Sequence, residues 1–450
     1  MNKLKSLKFF FNNIIVTPVI ISKIILGQKS SQINEISTVS KITFFLRGFK
    51  NLTYILFGFV KKIDVLFLTS NHYEVLEDNV VYDKFVTSFA NYVKNKNKTY
   101  KIARYTNDFI IPKNYFSKKD LINLQEVGVL YSKLQQNGDF ISSSSLTSDF
   151  LECLKDLELS KDVNPLDPTY LLKFIRQKDI FKIYLRKSKV KHIVVVCYYD
   201  LKSFAIIHAA NELNIPVIDL QHGVQGKGHF AYNYWPKELV QASKLFPTHF
   251  WCWDKWSADV IKSWFPEKNN VIVGSNVWMK ERIKPKPKVL ITFTAQPQED
   301  AIPAILIQAI RKYKGKLKWC IRLHPHQLNE LEKYKELLKK NQILDLIEFE
   351  KSTYMPLSEL LNMSYIHITD YSSVILEAMW FGIPSVVISE LGKRHYKEQV
   401  PENMLISAYS ADSIIEAIQN LESKWVFDEL HNEKKEDFEE LANKFFRYDG

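Results

Sequence analysis

Short runs of apolar residues, each closed by small or polar ones, alternate along most of the chain with stretches of helical period. The first is IDVLFLTSN at residues 63–71. An unbroken apolar run ending in small polar residues is how a strand buried on both faces meets a ligand-facing loop. HIVVVCYYD (192–200), IPVIDLQHG (215–223), THFWCW (248–253) and NNVIVGS (269–275) repeat the pattern, with helical stretches such as LKSFAIIHAANEL between them. Residues from about 72 to 190 read as polar and helical, with ISSSSLTSD (141–149) as an exposed loop. NVWMKERIKPKPK, with Pro285 and Pro287 among lysines, reads as a linker. Alternation then restarts with VLITFTA, LKWCIRLHP, LIEFE, YIHIT and IPSVVIS as strands. The chain closes on an amphipathic helix with Phe438, Leu441 and Phe445 at helical spacing.

This alternation predicts an α/β protein of two Rossmann-like domains, each with a parallel sheet, facing a cleft. The expected boundaries are a basic amphipathic segment at 1–62, an N-terminal domain at 63–275, a linker at 276–287, a C-terminal domain at 288–425 and a terminal helix at 426–450.

Charge changes the picture at one end only. The chain of 450 residues carries +11, and residues 1–62 hold ten Lys or Arg against one acid, Glu35. That segment also contains FFFNNIIVTPVIIS and ITFFLRGFKNLTYILFGFV. The first is an uncharged run of 14 residues, interrupted by Asn12, Asn13 and Pro18, against the roughly 20 a bilayer-spanning helix needs. The second is broken by Arg47 and Lys50. Basic residues mixed with Phe, Ile and Leu suit an element lying on an anionic membrane surface. The same pattern suits amphipathic helices packed on the protein's own core. No nucleic-acid-binding motif is present, so nucleic acid is not an expected partner. Cys153, Cys197, Cys252 and Cys320 lack metal or redox spacing, and Cys197 and Cys320 sit in strand-like runs as buried thiols. A reducing cytoplasm fits, with the protein peripheral on the inner face of the membrane.

Candidate chemistry gathers at strand ends. LQHGVQGKGHF (220–230) places two histidines and three glycines directly after a strand, in a chain with 13 glycines. His222 is the first candidate for a base and Asp200, at the preceding strand end, the second; Gly223 and His229 accompany His222. In YIHITDYSSVILE, Ser372 and Ser373 open a helix, where hydroxyls and free N–H groups suit a phosphate, and Glu377 suits a ribose diol. Arg322 and His324 alternate at the end of LKWCIRLHP, stopped by Pro325, and suit a diphosphate or a base. Gln296 and Asp300, in TAQPQED, complete the donor-side set. No paired carboxylates offer a metal site, and no cofactor is expected.

The HP at one strand end and the SS opening a helix, with a Glu beyond, resemble bacterial glycosyltransferases of the two-domain GT-B fold. These are the CMP-sialic acid and Kdo transferases and the CDP-glycerol glycerophosphotransferases of surface-polysaccharide synthesis. TDYSS and His222–Gly223 are similar to the last of these. The resemblance implies that His324, Ser372 and Ser373 hold a nucleotide phosphate. It further implies an inverting, metal-independent transfer from a nucleotide-sugar donor to a capsule, lipopolysaccharide or lipid-linked glycan acceptor. The sequence departs from these families in having QHG for WHG and no acidic D/E-D/E-G motif. A glycerophosphotransferase, a UDP-sugar 2-epimerase-like isomerase and a noncatalytic synthase partner are the alternatives.

Overall fold

The computed structural model describes residues 38–105, 112–122, 124–134, 168–424 and 438–446, apart from 228, 285 and 299, together with the short pieces 10–11, 14–15 and 18–19. Cys153 and the serine-rich 141–149 lie outside the described residues. The chain forms two compact units, Met1–Asn276 with Glu436–Gly450, and Val277–Lys435.

In the first unit, helix α1 (Thr38–Phe57) precedes β1 (Val65–Ser70), α2 (Val86–Asn95), β2 (Tyr100–Tyr105), β3 (Leu121–Ile122), α3 (Leu124–Leu134) and α4 (Pro168–Ser188). There follow β4 (His192–Val196), α5 (Leu201–Glu212), β5 (Val217–Leu220), β6 (His249–Cys252), α6 (Lys255–Lys262) and β7 (Val271–Val273). The seven strands are all parallel, in the order β3-β2-β1-β4-β5-β6-β7. That is the doubly wound order, and it reverses between β1 and β4. Burial on both faces explains the near-continuous apolar runs; Val65, Leu66, Phe67 and Val194 are all inaccessible to solvent. Asp200 and Asp254 start α5 and α6 by accepting bonds from Ser203 N (2.6 Å) and Ser257 N (2.7 Å).

Strand β2 falls in the stretch expected to be polar and helical. Its sequence, YKIARY, carries two cations whose charges are answered inside the fold. Lys101 pairs with Asp120 at 3.0 Å, and the buried Arg104 forms a forked pair with Glu74. Glu74 lies on the first strand of a hairpin, Glu74–Glu77 with Val80–Asp83, which falls in the same stretch.

The C-terminal helix (Phe438–Phe446) belongs to this first unit. Phe438 packs edge-on against Phe89, Tyr92 and Trp251, and Phe445 against His192 and His249. The sequence showed its amphipathic face but not what that face covers.

The second unit contains β8 (Leu290–Thr294), α7 (Ala304–Lys312), β9 (Lys318–Arg322), α8 (Leu331–Lys340), β10 (Ile347–Glu348) and β11 (Ser364–Thr369). After them come α9 (Val374–Trp380), β12 (Ser385–Val387), α10 (Glu390–Tyr396), β13 (Leu405–Ser407) and α11 (Ala411–Lys424). Its six parallel strands run β10-β9-β8-β11-β12-β13, the same winding, reversing between β8 and β11. The stretch expected as a linker is pinned to this unit: Asn362 donates to the Arg282 carbonyl (2.8 Å) and accepts from Lys284 N (2.8 Å).

Candidate active site

In open α/β sheets, ligands bind beyond the strand carboxyl ends where the strand order reverses. Each unit places polar side chains there.

In the second unit the reversal lies between β8 and β11. Thr294 pairs in register with both Arg322 and Thr369, so the loops after β8, β9 and β11 leave the sheet at one level. Across the reversal, Gln298 Nε2 donates to Asp370 Oδ2 at 3.1 Å, and Gln327 donates to the Gln298 carbonyl at 3.2 Å. The other oxygen of Asp370, Oδ1, is buried and has no hydrogen-bond partner. An orphaned carboxylate oxygen at a switch point is a ready acceptor for a ligand hydroxyl or amino group. The loop carrying it is braced by α10: Ser389 Oγ donates to the Asp370 carbonyl and Tyr396 OH to the Tyr371 carbonyl, each at 3.2 Å.

The expected donor-side residues separate into two groups. Gln296, His324, Ser372 and Ser373 lie at or just beyond these strand ends. Ser372 Oγ accepts from Val374 N at 3.3 Å, and Ser373 makes no side-chain cap. Helix α9 has only seven residues, so hydroxyls rather than a long helix dipole would supply the donors to a phosphate. Asp300 is exposed. Arg322 and Glu377 point to structure instead. Arg322 donates to the carbonyls of Ser352 (2.9 Å) and Met355, burial lowers its pKa to about 10, and the nearby Glu377 carboxylate opposes that shift. Glu377 itself is buried.

In the first unit the reversal lies between β1 and β4. Cys197 follows β4 directly at φ 72°, a left-handed conformation that non-glycine residues seldom adopt outside turns or functional sites. That turn lets Tyr198 N reach Asp219 Oδ1 (3.0 Å), while Tyr232 OH donates to Asp219 Oδ2 (2.8 Å). It also presents Tyr199, whose hydroxyl lies 3.2 Å from His222 Nε2 and 3.4 Å from His229 Nε2. Tyr73, just beyond β1, packs its ring against His222. His222 keeps some solvent access yet is closely surrounded by protein, and this desolvation lowers its pKa to about 4, partly offset by the Leu220 backbone. Its Nδ1 has no hydrogen-bond partner. The imidazole is therefore neutral at pH 7.

The glycines of the His222 loop divide by role. A Cβ on Gly226 would meet the Trp256 ring at 2.8 Å, whereas one on Gly223 would meet nothing within 4 Å. Gly226 thus serves packing, and the space beside Gly223 is open to a ligand. Asp200 is occupied as the cap of α5, which weakens it as a base. Lys202, two residues along, has its pKa lowered by burial and stands 4.3 Å from the centre of the Tyr105 ring. Tyr73, Tyr105, Tyr199 and Lys202 were missed in the sequence; the signal for Tyr199 was its place in CYYD at a strand end. Among the described residues, no three His, Cys, Asp or Glu side chains are grouped to hold a metal ion.

The chain matches the UDP-N-acetylglucosamine 2-epimerase family model across residues 259–445, from within α6 through the whole second unit. No protein of curated function matches it. Among solved structures it is similar to the UDP-GlcNAc 2-epimerase of Neisseria meningitidis bound to UDP-GlcNAc, with 16% identity and a TM-score of 0.50 over 86% of this chain and 99% of that one. It is likewise similar to the Methanocaldococcus jannaschii UDP-GlcNAc 2-epimerase in complex with UDP-GlcNAc and UDP, with 12% identity and a TM-score of 0.51 over 86% and 100%. The architecture is therefore of the GT-B-like class, as the sequence implied. Beside the match to the 2-epimerase family model, the chain is also similar to the wall teichoic acid polymerase TagF with CDPG, with 13% identity and a TM-score of 0.43 over 91% of this chain and 93% of that one, whereas these matches do not support the CMP-sialic acid and Kdo transferase families.

Proposed function

We propose that the protein is a nucleotide-sugar enzyme, and that it acts as a 2-epimerase-like isomerase on a UDP-sugar. The family match over the second unit carries this reading, because it spans Ser372, Ser373, His324 and the Gln298–Asp370 pair. In this reading the second unit holds the nucleotide: the serines and His324 on phosphate, Asp370 Oδ1 on a nucleoside hydroxyl or amino group. On the same reading His222, neutral and beside the Tyr199 hydroxyl, takes the C2 proton as the C1–oxygen bond to UDP breaks, and the C1=C2 alkene so formed regains a proton on its other face as UDP re-adds at C1. No metal enters the scheme.

Glycosyl transfer is the second reading, and the basic, apolar segment at 1–62 favours it, since an isomerase needs no membrane-borne acceptor. The full chain incubated with UDP-, CMP- and CDP-sugars in deuterated water, with and without a lipid-extract acceptor, separates the two. Deuterium at C2 and an inverted sugar without acceptor support the isomerase. Donor consumption only with acceptor supports transfer. A chain that binds no nucleotide would sink both.

A further inference from the structure

We propose that the turn after α1 is a membrane-docking tip for an anionic lipid bilayer. Helix α1 packs one face on the first unit through Leu52 and Ile55, which are buried. Its outward face carries Leu46, Phe49 and Tyr54, all exposed. At its end stand Phe57 and Phe59, 85% and 84% exposed, more than any other large apolar side chain among the described residues. They are held there by local structure. Gly58 N donates to the Tyr54 carbonyl at 2.8 Å and Tyr54 OH donates to the Phe59 carbonyl at 2.5 Å. A Cβ on Gly58 would lie 2.6 Å from the Tyr54 carbonyl oxygen, so the turn requires glycine.

The surroundings are cationic. Lys50, Lys61 and Lys62 are exposed. The end of α4 lies alongside, since Lys187 donates to the Leu56 carbonyl (2.7 Å) and Ile63 N to the Ser188 carbonyl (3.0 Å). This brings exposed Arg186, Lys187 and Lys189 to the base of the tip. The next acid along the chain, Asp64, is already paired with Lys191 at 2.9 Å and with Thr99. Two projecting aromatics ringed by positive charge that no acidic side chain answers among the described residues match the negative headgroups and apolar boundary of an anionic bilayer. Among the described residues no helix is long and apolar enough to cross a membrane. The sequence pointed to residues 1–62 in general. The contribution from α4, about 130 residues later, comes only from the fold.

Co-sedimentation of the full chain with phosphatidylcholine vesicles, with and without phosphatidylglycerol, tests this. Wild type is expected to bind the anionic vesicles and to be released by high salt. Phe57→Ser with Phe59→Ser should lower partitioning about tenfold or more. Lys61→Gln with Lys62→Gln should lower it about fivefold per charge. Thermal melting and nucleotide binding should remain as in wild type for both variants, which separates this result from the fate of the enzymatic reading. Wild type that ignores anionic vesicles, or a double-Phe variant that binds them equally well, overturns the proposal. So does lipid-free self-association that the Phe variant abolishes while vesicle binding is unchanged.

Discussion

The Tyr199 hydroxyl lies 3.2 Å from Nε2 of His222, and the other nitrogen of that imidazole is unpaired within a closely packed site. One nitrogen of the ring is thus positioned by Tyr199, and the other is buried with the Leu220 backbone beside the ring.

His222→Ala is expected to cut turnover by about 100- to 10,000-fold, the usual worth of a positioned acid or base. Nucleotide affinity should be unchanged, since the residues assigned to the nucleotide belong to the other unit. Tyr199→Phe should cost less and act on kcat more than on KM. Steady-state kinetics beside nucleotide titration calorimetry decide it. Turnover close to wild type in His222→Ala would reduce the residue to a loop element.

Ser372→Ala with Ser373→Ala should weaken nucleotide binding while leaving the melting temperature nearly unchanged, because neither hydroxyl is buried. Asp370→Asn keeps an oxygen for Gln298 but makes the carboxylate neutral, and should lose about tenfold or more in nucleoside affinity, the worth of a bond to a charged group. Equal affinity for free phosphate-containing and nucleoside ligands in this variant would place the nucleoside elsewhere.

Glu377→Gln separates the expected ribose contact from a structural role. Arg322 would keep its carbonyl partners but lose the nearby carboxylate charge that opposes its desolvation, so stability should fall. Chemical denaturation should show that loss. Unchanged stability with weakened binding would restore the ribose assignment.

Acid should destabilise the second unit through His367. Its nitrogens meet Thr294 Oγ1 (2.8 Å) and Ser385 Oγ (2.9 Å), and burial lowers its pKa to about 3. Between that value and the unfolded pKa near 6.5, the unfolded chain binds the proton and the native one does not. Stability is therefore full above about pH 6.5 and falls with pH through the window, by at most about 1.4 kcal/mol per pH unit. Asp83, raised to about 6 by burial, acts with the opposite sign in the first unit, so the test is a difference. Stability measured against pH should fall less steeply in His367→Gln than in wild type; parallel curves would contradict the assignment.

The sequence by itself determined the class and most of the strands, because strands buried on both faces must be apolar throughout and their ends must turn polar. It also located the strand ends that carry His222, His324, Ser372 and Ser373, since a loop leaving a parallel sheet follows its strand directly. It did not reveal β2, whose Lys101 and Arg104 are answered by Asp120 and Glu74 from elsewhere in the chain. A buried charge with a distant partner reads as a surface residue until the partner is known. Glu377, expected from the sequence as a ribose contact, also acts on the charge of Arg322, more than fifty residues earlier in the chain, which the sequence did not reveal. Only the tertiary structure decided which polar groups answer each other across the two chain reversals: Gln298 with Asp370, and Tyr199 with His222 and His229. Each of those contacts joins loops after different strands, and their proximity follows from strand order, which local apolar periodicity does not encode.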